Sequence, residues 1–491
     1  MTEIELKLAL SPDDVAAFRR SAPLSGVRPT RRKLTSIYYD TPDFELQKAG
    51  MALRLRKSGR SWTQTLKGGH SGTGGLHERE EWETSRPDAT IDLTALAGSA
   101  LDKAGGVGDR LEPAFTVAFE RETWDVELSP GTRVEVALDR GAASAGESSD
   151  PVCEVEIELL EGDRAMAFDF ARALAAEVPL RPSAVTKAER GYRLLKREAL
   201  QPMRSKRVEL DCAMTVEQAA RALVGASLDQ LQANEEGVLG SNDPEFVHQA
   251  RVGLRRMRSA LRIFRDVLPP EAQAWRTELG DLARTLGEAR DWDVFATETL
   301  PPLAKAFGDA AIARRLARRA AAPRKLALAK ARDALRSKRF SALVLDLSKW
   351  LAGSPTDFQA PGTDLLAFAT RLARRRHRKL LADAEGLAGR TPEERHAVRI
   401  DAKRLRYAVD GFASLFKAKR VERYLDDLAA LQDVLGASND ASTAAGLLAS
   451  LSPGTEFAVF ARGYLAARIE GDSRSAEARV ERLASSRKFW S

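Results

Sequence analysis

The sequence predicts an α+β chain, with an antiparallel β region first and an all-α region second. Up to about residue 160 the apolar residues recur with a period of two, as in EIELKL, MALRLRK and CEVEIEL, which is typical of strands. From about residue 213 the period becomes 3.6, and Ala, Leu and Arg dominate, which is typical of helices. A motif in the second region recurs 148 residues later, so we expect two similar helical bundles there.

Charge divides the chain at about the same place. Residues 1–200 hold 28 Lys and Arg against 33 Asp and Glu, whereas residues 201–491 hold 49 against 37. The net positive charge of the chain, +7, therefore resides in the second region. We expect that region to bind an anionic partner.

Cysteine content and hydropathy indicate the compartment. Cys153 and Cys212 lack metal-ligand spacing, and we interpret both as free thiols in a reducing environment. The N-terminal MTEIELKLAL lacks the basic and apolar segments of a signal peptide. No apolar run approaches the roughly 18 residues that span a bilayer. We therefore expect a soluble cytoplasmic protein without a membrane partner.

Charged residues share one face of most predicted strands. Side chains alternate across a strand, so Arg54 and Arg56 share a face opposite leucines, and Glu154, Glu156 and Glu158 share another. One interpretation is a one-sided sheet whose polar face lies in water. However, three successive carboxylates repel one another unless cations lie between them. A closed barrel with this face inside would offer carboxylates to Mg²⁺ or Mn²⁺ and guanidinium groups to phosphate.

The opening Glu3-x-Glu5-x-Lys7 resembles the ExExK signature of the CYTH superfamily, the triphosphate tunnel metalloenzymes. YYDTPDFELQKAGMALRLRK, LHEREEWE, TRVEVALDRG, EVEIEL and TKAERGY resemble the same family in its order, over residues 1–197. The resemblance implies an eight-stranded antiparallel β-barrel whose charged tunnel binds a triphosphate and a divalent metal. It also implies hydrolysis of a phosphoanhydride bond, with Mg²⁺ or Mn²⁺ as the cofactor.

The resemblance further implies roles for individual residues. The metal would be held by Glu3, Glu5, Asp139 and two of Glu154, Glu156 and Glu158, and the choice of two stays open. The phosphate oxygens would be bound by Lys7, Arg54, Arg56, Lys67 and Arg133, with Arg79 and Glu81 as tunnel residues without a fixed role. Lys187 would be the late lysine of the tunnel, although a surface lysine before a helix explains its spacing equally well. Catalysis would depend on Glu3, Glu5, Lys7 and Lys187.

The stretch HQARVGLRRMR begins a cationic stripe in the helical region. On a helix, spacings of 3, 4, 3 and 4 place five residues on one line: His248, Arg251, Arg255, Arg258 and Arg262. An apolar stripe one residue earlier lies about 100° away, so the helix can pack while it presents cations. For a single helix, a solvated basic face is a sufficient explanation.

A second copy of this stripe makes that explanation insufficient. HAVRIDAKRLR begins at His396, and at an offset of 148 the corresponding pairs are His248/His396, Arg251/Arg399, Arg255/Lys403, Arg256/Arg404 and Arg258/Arg406. Random surface basicity would not reproduce this register. The copies also differ, because Asp410 corresponds to Arg262 and Asn439 to Arg290, which predicts an asymmetric site.

The helical region, residues 213–485, resembles the CHAD family of conserved-histidine α-helical domains, which consist of two pseudo-symmetric helical bundles. The resemblance implies binding of long-chain inorganic polyphosphate by the paired motif residues and Arg262. Two roles stay open for His248 and His396: direct phosphate contact, or a structural contact near the helix start.

We predict a CYTH domain at 1–198, a linker at 199–212 and a CHAD domain at 213–491, with repeat halves at about 213–350 and 364–485. A Pro- and Gly-containing stretch at 352–364 would divide those halves. The oligomeric state is not predicted.

The predicted function is metal-dependent hydrolysis of inorganic tripolyphosphate in the tunnel, together with polyphosphate binding by the helical domain. Association with polyphosphate granules in the cytoplasm would fit this function. The alternatives are a non-catalytic polyphosphate scaffold, a triphosphatase that acts on an organic triphosphate, and a nucleic-acid-binding protein. Aromatic residues make up only 6% of the chain and are absent from the first cationic motif, which disfavours nucleic acid.

Overall fold

A computed structural model describes residues 2–101, 107–353, 364–452 and 454–490. The chain forms two compact units. One unit spans Met1–Gln201 and Leu335–Gly353, and the other spans Pro202–Ala334 and Ser354–Ser491. None of the helices in the described ranges is long and apolar enough to cross a membrane.

The first unit contains a closed antiparallel barrel. Its strands are β1 (Thr2–Ala9), β2 (Thr30–Asp40), β3 (Ala52–Ser58), β4 (Ser61–Ser71), β5 (Leu76–Arg86), β6 (Glu112–Ser129), β7 (Thr132–Ala145) and β8 (Ser148–Glu161), and a two-residue strand, β9 (Arg181–Pro182), also pairs with β1. The order around the barrel is β1–β5–β4–β3–β2–β6–β7–β8, and β8 returns to β1. The predicted eight-stranded antiparallel barrel is therefore confirmed.

The period-two pattern of the sequence becomes an outer apolar face and an inner charged face. In β1, Leu6 and Leu8 are buried in the core outside the barrel, whereas Glu5 and Lys7 line its interior. The leucines of β3 are likewise buried, and its arginines point inward. The charged strand face thus lies inside a closed barrel and not in open water.

Four helices accompany the strands in the N-terminal part of this unit: α1 (Val15–Arg19), α2 (Glu45–Lys48), α3 (Arg164–Glu177) and α4 (Lys187–Lys196). The hydroxyl of Thr186 caps α4 by accepting from the backbone N–H of Glu189, so Lys187 lies at the first helical position. Gly191 lets α4 approach β6 closely, since a Cβ atom there would lie 2.0 Å from the ring of Phe115. This packing holds the start of α4, and with it Lys187, against the barrel.

The second unit is helical. Its first helices are α5 (Val216–Gly240), α6 (Pro244–Ile263), α7 (Ala272–Val294), α8 (Leu300–Phe307) and most of α9 (Ala310–Arg336). The next helix, α10 (Lys338–Ala352), belongs to the first unit. The second unit continues with α11 (Leu365–Asp383), α12 (Pro392–Gly411), α13 (Ala418–Leu451) and α14 (Glu456–Ser485). A π-helical segment, Phe295–Thr299, joins α7 to α8.

The two motif helices, α6 and α12, match in length as well as in sequence. Each has 20 residues, and each begins with a proline, Pro244 or Pro392, that follows a capping side chain, Asp243 or Thr391. The repeat therefore extends to the capping residues, which start both helices in the same register. α6 packs on α5 and α7, α12 packs on α11 and α13, and α6 and α12 also contact each other.

The first helical repeat at about 213–350 stays a prediction. The structure packs the last helix of that range, α10, into the unit that contains the barrel. The reason is that Leu345 is buried in the apolar core that also contains Phe168 and Leu174 of α3. The predicted dividing stretch at 352–364 lies mostly outside the described residues.

Candidate active site and cationic helix site

The interior of the barrel is a cavity of about 640 Å³ that is rich in charged side chains. Its charged and imidazole side chains are Glu3, Glu5, Lys7, Arg54, Arg56, Lys67, His77, Arg79, Glu81, Glu83, Arg121, Glu135, Glu156, Glu158 and Lys187. Both signs of charge therefore face the same enclosed space, which suits a ligand that carries both phosphate groups and a metal ion.

Three carboxylates meet at one side of this tunnel. One oxygen each from Asp139, Glu154 and Glu156 lies within 4.8 Å of the others. The Nζ atom of Lys187 lies 2.6 Å from an oxygen of each of the three, and the Nζ atom of Lys7 lies 3.3 Å from Glu154 and also contacts Glu156. Burial favours neutral amines, but these carboxylates outweigh it and raise the pKa of both lysines. Three such oxygens are the hard ligands that Mg²⁺ and Mn²⁺ prefer.

Glu158 belongs to a different group of carboxylates from the other two glutamates of its strand. Burial, and then the nearby charges of Glu3 and Glu5, raise the pKa of Glu158 to about 7. All three glutamates have the same parity along β8, but Glu154, the partner of Asp139, and Glu156 form the cluster, whereas Glu158 lies further along the strand opposite Glu5 and Glu135. The structure therefore separates the three candidate glutamates, whereas the sequence left the choice of two open.

The cationic side of the tunnel is anchored by ion pairs and by an aromatic ring. The Nζ atom of Lys67 lies 2.5 Å from Glu3, and the Nε atom of Arg56 donates to the hydroxyl of Ser36 at 3.2 Å. The ring centroid of Phe119 lies 5.9 Å from the guanidinium carbon of Arg56, 5.6 Å from that of Arg121 and 5.1 Å from the Nζ atom of Lys187. This one ring therefore lies within cation–π distance of three cations and offsets part of their mutual repulsion.

Arg121 is a tunnel residue that sequence reasoning missed. Its guanidinium makes two parallel hydrogen bonds of 2.7 Å to the carboxylate of Asp139 and also contacts Glu156. It follows Phe115, Val117 and Phe119 on the inner face of β6. Counting in steps of two along that strand could have found it, but the apolar residues before it obscured the signal.

Arg133 corrects a prediction, because it does not line the tunnel. Its side chain is half exposed and lies 3.3 Å from Glu161. Arg133 has the same parity as Glu135, which does line the cavity, and β6 pairs with both residues in regular register. Arg133 is the second residue of β7, however, so its side chain lies near the end of the strand and pairs with Glu161 instead of lining the cavity.

His77 is another tunnel residue that the sequence did not single out. It lies in β5, is buried and lines the tunnel, with Nε2 at 3.2 Å from the carbonyl oxygen of Ser183 and Nδ1 at 3.3 Å from Arg79. Burial, followed by the charge of Lys7, lowers the pKa of His77 to about 3, so the imidazole is neutral.

In the helical unit, the two motif helices bring four cations together. Burial and the charges of the other cations lower the pKa of Arg251 to about 10 and that of Lys403 to about 7, and the same causes lower the pKa of Arg399. Arg255 completes the group, and its Nε atom donates to the hydroxyl of Tyr407 at 3.0 Å. These four residues, which we call the central cation cluster, lie close together although the two helices are far apart in sequence.

Two guanidinium groups of the central cation cluster have unused donors. The Nε atoms of Arg251 and Arg399 are buried, and neither has a hydrogen-bond partner in the part of the chain that the structure describes. Arg251 packs so closely on Gly287 that a Cβ atom there would lie 2.6 Å from its Nη1 atom, whereas the corresponding Gly436 has open space. The site is therefore asymmetric, and an anion could satisfy donors that the protein leaves unpaired.

The remaining predicted cations have other partners. Arg256 pairs with Asp410 at 3.6 Å, Arg404 with Asp401 at 2.9 Å, and Arg406 donates to Gln432 at 3.1 Å. Arg256 and Arg404 each follow a stripe residue by one position, and one helical step turns a side chain by about 100°. Arg406 keeps the stripe register but donates to Gln432 of α13. These three residues therefore have partners of their own and do not join the central cation cluster.

Arg258 and Arg262 at the end of the stripe, and the two motif histidines, lie outside the central cation cluster. Burial and the charge of Arg404 lower the pKa of Arg262, while burial, Arg276 and Arg284 lower that of Arg258, so these arginines form a second crowded basic zone. His248 is half-buried, and burial and Arg290 lower its pKa, whereas His396 is exposed.

Two family models match the chain. The model described as CYTH domain matches residues 1–192, and the model described as CHAD domain matches residues 222–449. The chain joins a CYTH domain to a CHAD domain. Both predicted resemblances are therefore confirmed.

Parts of the chain are similar to one named relative and to several solved structures. The chain is 34% identical over 195 residues to an inorganic triphosphatase of Haemophilus influenzae. The aligned residues cover 40% of this chain and 55% of that relative's length. The crystal structure of a CHAD domain from Ricinus communis shares 32% identity, with 58% of this chain and 97% of that chain covered and a TM-score of 0.49. PptA from Streptomyces chartreusis shares 21% identity, with 55% and 99% covered and a TM-score of 0.44.

Proposed function

We propose that the CYTH domain hydrolyses inorganic tripolyphosphate with a divalent metal ion. The observation that carries the proposal is the cluster of Asp139, Glu154 and Glu156, because Glu156 lines the same cavity as the cationic side chains. The name of the Haemophilus influenzae relative points to the same chemistry. Among the described residues that line the cavity, Tyr38 is the only one with a phenol, phenyl or indole ring, so we favour a substrate made of phosphate alone.

The tunnel residues divide the work between binding and hydrolysis. Arg54, Arg56 and Lys67 bind phosphate oxygens, since guanidinium groups offer paired donors and an ammonium offers a compact charge. A divalent ion held by the Asp139 cluster would neutralise charge on the phosphate chain. A tunnel carboxylate orients water for in-line attack, and the products are one orthophosphate and one pyrophosphate. Because the pKa of His77 is about 3, its imidazole is neutral near pH 7 and adds no positive charge to the tunnel.

A substrate panel tests this proposal. Phosphate release would be measured from tripolyphosphate, long-chain polyphosphate, ATP and thiamine triphosphate, each with Mg²⁺, with Mn²⁺ and with a chelator. We expect tripolyphosphate to have the highest kcat/KM, and we expect the chelator to abolish release. If ATP or thiamine triphosphate is hydrolysed faster than tripolyphosphate, that compound is the better substrate and the proposed substrate is wrong. No phosphate release from any compound would favour a non-catalytic scaffold.

We further propose that the CHAD domain binds long-chain polyphosphate through the central cation cluster. The unpaired Nε donors of Arg251 and Arg399 support this proposal, because a phosphate chain supplies acceptors without needing a specific shape. The lowered pKa values of the cluster also support it, since a bound anion would relieve the repulsion that lowers them. Nucleic acid is the competing ligand, and equal competition by single-stranded DNA would contradict the proposal.

Polyphosphate affinity should depend on pH through Lys403. With a pKa of about 7, Lys403 is largely neutral above neutral pH, but a bound polyanion favours its ammonium form, so binding takes up a proton. Affinity should therefore fall as pH rises from 7 to 9, by at most about tenfold per pH unit for one linked proton. Lys403→Arg keeps the charge and should flatten this dependence. Titration of labelled polyphosphate at several pH values checks it, and equal slopes for the two proteins would contradict it.

A further inference from the structure

Helix α10 lies within the segment that matches the CHAD family but packs into the CYTH unit. Its residue Leu345 is 1% exposed and shares an apolar core with Leu6 and Leu8 of β1, Leu76 of β5 and Phe168 of α3. The core that covers the outside of the tunnel strands is therefore completed by Leu345, a residue 163 positions beyond Pro182, the last residue of β9.

Polar contacts fix α10 along α3. The Nε atom of Arg172 lies 2.8 Å from Asp346, and the Nζ atom of Lys349 lies 2.6 Å from Asp169. The Nζ atom of Lys338 donates to the carbonyl oxygens of Ala176 and Glu177, at 3.1 Å and 2.7 Å, where α3 ends. A cation at the carboxyl end of a helix is favourable because it satisfies carbonyl groups that lack helical partners.

α10 also contacts the loop of residues 72–75, which joins β4 to β5. The hydroxyl of Ser348, 1% exposed, lies 3.2 Å from the carbonyl oxygen of Gly74 and 2.7 Å from that of Val344 in its own helix. The next residue, Gly75, accepts a 2.8 Å hydrogen bond from the backbone N–H of Lys7. A Cβ atom on Gly75, whose φ is +88°, would lie 2.9 Å from the carbonyl oxygen of Lys7.

This loop sits between residues of the tunnel wall. It follows the strand that carries Lys67 and precedes the strand that carries His77 and Arg79. The carbonyl oxygen of Lys7 accepts from the backbone N–H of Ser183, just after β9, and β9 also packs against α10. The backbone around Lys7 is thus held from two sides by segments that α10 touches.

We propose that α10 is a positioning element of the tunnel: through Leu345 and Ser348 it fixes the 72–75 loop and β9, and thereby the placement of Lys7 and His77. The expected effect on kcat/KM rests on the proposed tripolyphosphatase function. Residues of the segment that matches the CHAD family would then take part in the reaction of the CYTH domain, because they pack within the barrel unit.

The chain offers matched controls on the same helix. Ser341 is also 1% exposed, and its hydroxyl lies 3.4 Å from the carbonyl oxygen of Ser337, next to the start of α10. Ser341→Ala therefore removes a buried hydroxyl from the same helix without touching the loop contact. Leu345→Met conserves side-chain volume, whereas Leu345→Ala leaves a cavity.

The test uses full-length Ser348→Ala and Leu345→Ala, with Ser341→Ala and Leu345→Met as controls, at a temperature well below every melting point. Two readouts are taken: kcat and KM for tripolyphosphate, and the ring NMR signals of His77, one of five histidines in the chain. Ser348→Ala should lower kcat/KM by about threefold to tenfold, the effect of one hydrogen bond, and Leu345→Ala by more. Both should shift the His77 signals, and both controls should match wild type.

Unchanged kinetics and unchanged His77 signals in Ser348→Ala and Leu345→Ala, even with lower melting temperatures, would overturn the proposal, because α10 would then only stabilise the fold. Equal kinetic losses in Ser341→Ala would overturn it as well. If the wild-type chain hydrolyses no tripolyphosphate, the proposed function fails, and the His77 signals alone decide whether α10 positions the tunnel wall.

Discussion

Glu156→Gln should lower kcat for tripolyphosphate by about a thousandfold or more, the size of effect seen when a principal electrostatic group of an active site is removed. Glu156 takes part in the carboxylate cluster and contacts Lys7, Lys187 and Arg121 at once. The amide keeps the shape of the side chain but removes its charge, so the cluster loses affinity for a divalent ion. Affinity for the anionic substrate should be unchanged or tighter, because the same change leaves the tunnel more positive.

The same strand provides the control for this substitution. Glu161 also lies in β8, but its side chain is 56% exposed and pairs with Arg133 outside the tunnel. Glu161→Gln therefore makes the identical chemical change and should leave kcat within about twofold, as expected for an exposed ion pair. Steady-state kinetics at saturating Mg²⁺ measure kcat, and titration of tripolyphosphate without metal measures binding. Full turnover by Glu156→Gln would contradict the assignment of the carboxylate cluster.

Arg251→Glu combined with Arg399→Glu should weaken binding of long-chain polyphosphate by about a hundredfold or more at moderate salt. The two substitutions replace both unpaired guanidinium donors of the central cation cluster and introduce carboxylates that repel phosphate. Tripolyphosphate hydrolysis should stay at the wild-type rate, since neither residue lines the tunnel. The binding measurement is retention on immobilised polyphosphate together with titration in solution.

A second charge-reversal pair separates this local effect from the loss of net charge. Arg265 and Arg474 are 68% and 73% exposed and form only exposed ion pairs in the structure. Arg265→Glu with Arg474→Glu changes the net charge of the helical unit by the same amount and should weaken binding far less. If both double variants lose affinity equally, polyphosphate binding would be a property of total charge and not of the central cation cluster.

The sequence predicted the parts of the barrel that depend on simple alternation. Leu53, Arg54, Leu55 and Arg56 occupy the faces that a period of two assigns to them, because regular pairing preserves that period along β3. Closure of the barrel did not follow from alternation, since an open sheet would show the same pattern. It was the resemblance to the CYTH family that supplied closure and the eight strands.

What the sequence did not reveal lies where strands end or where distant segments meet. Alternation assigns Arg133 to the face of Glu135 but does not tell where along β7 the tunnel ends, and a glycine-rich segment concealed that His77 already belongs to β5. Helix α10 is an example of the second kind. A helical period reveals an apolar face but not which core will bury it, so the sequence did not reveal that Leu345 packs in the core of β1 and α3.

The central claim is that the charged tunnel hydrolyses tripolyphosphate and needs a divalent ion to do so. Phosphorus NMR of tripolyphosphate mixed with the purified wild-type chain tests it most directly, because substrate and both products give separate signals. The reaction contains Mg²⁺ or Mn²⁺, and the metal is removed before the spectrum is recorded. We expect equal amounts of orthophosphate and pyrophosphate. When chelator is present from the start, we expect unchanged tripolyphosphate. Unchanged tripolyphosphate with either metal, or equal hydrolysis with chelator, would contradict the account.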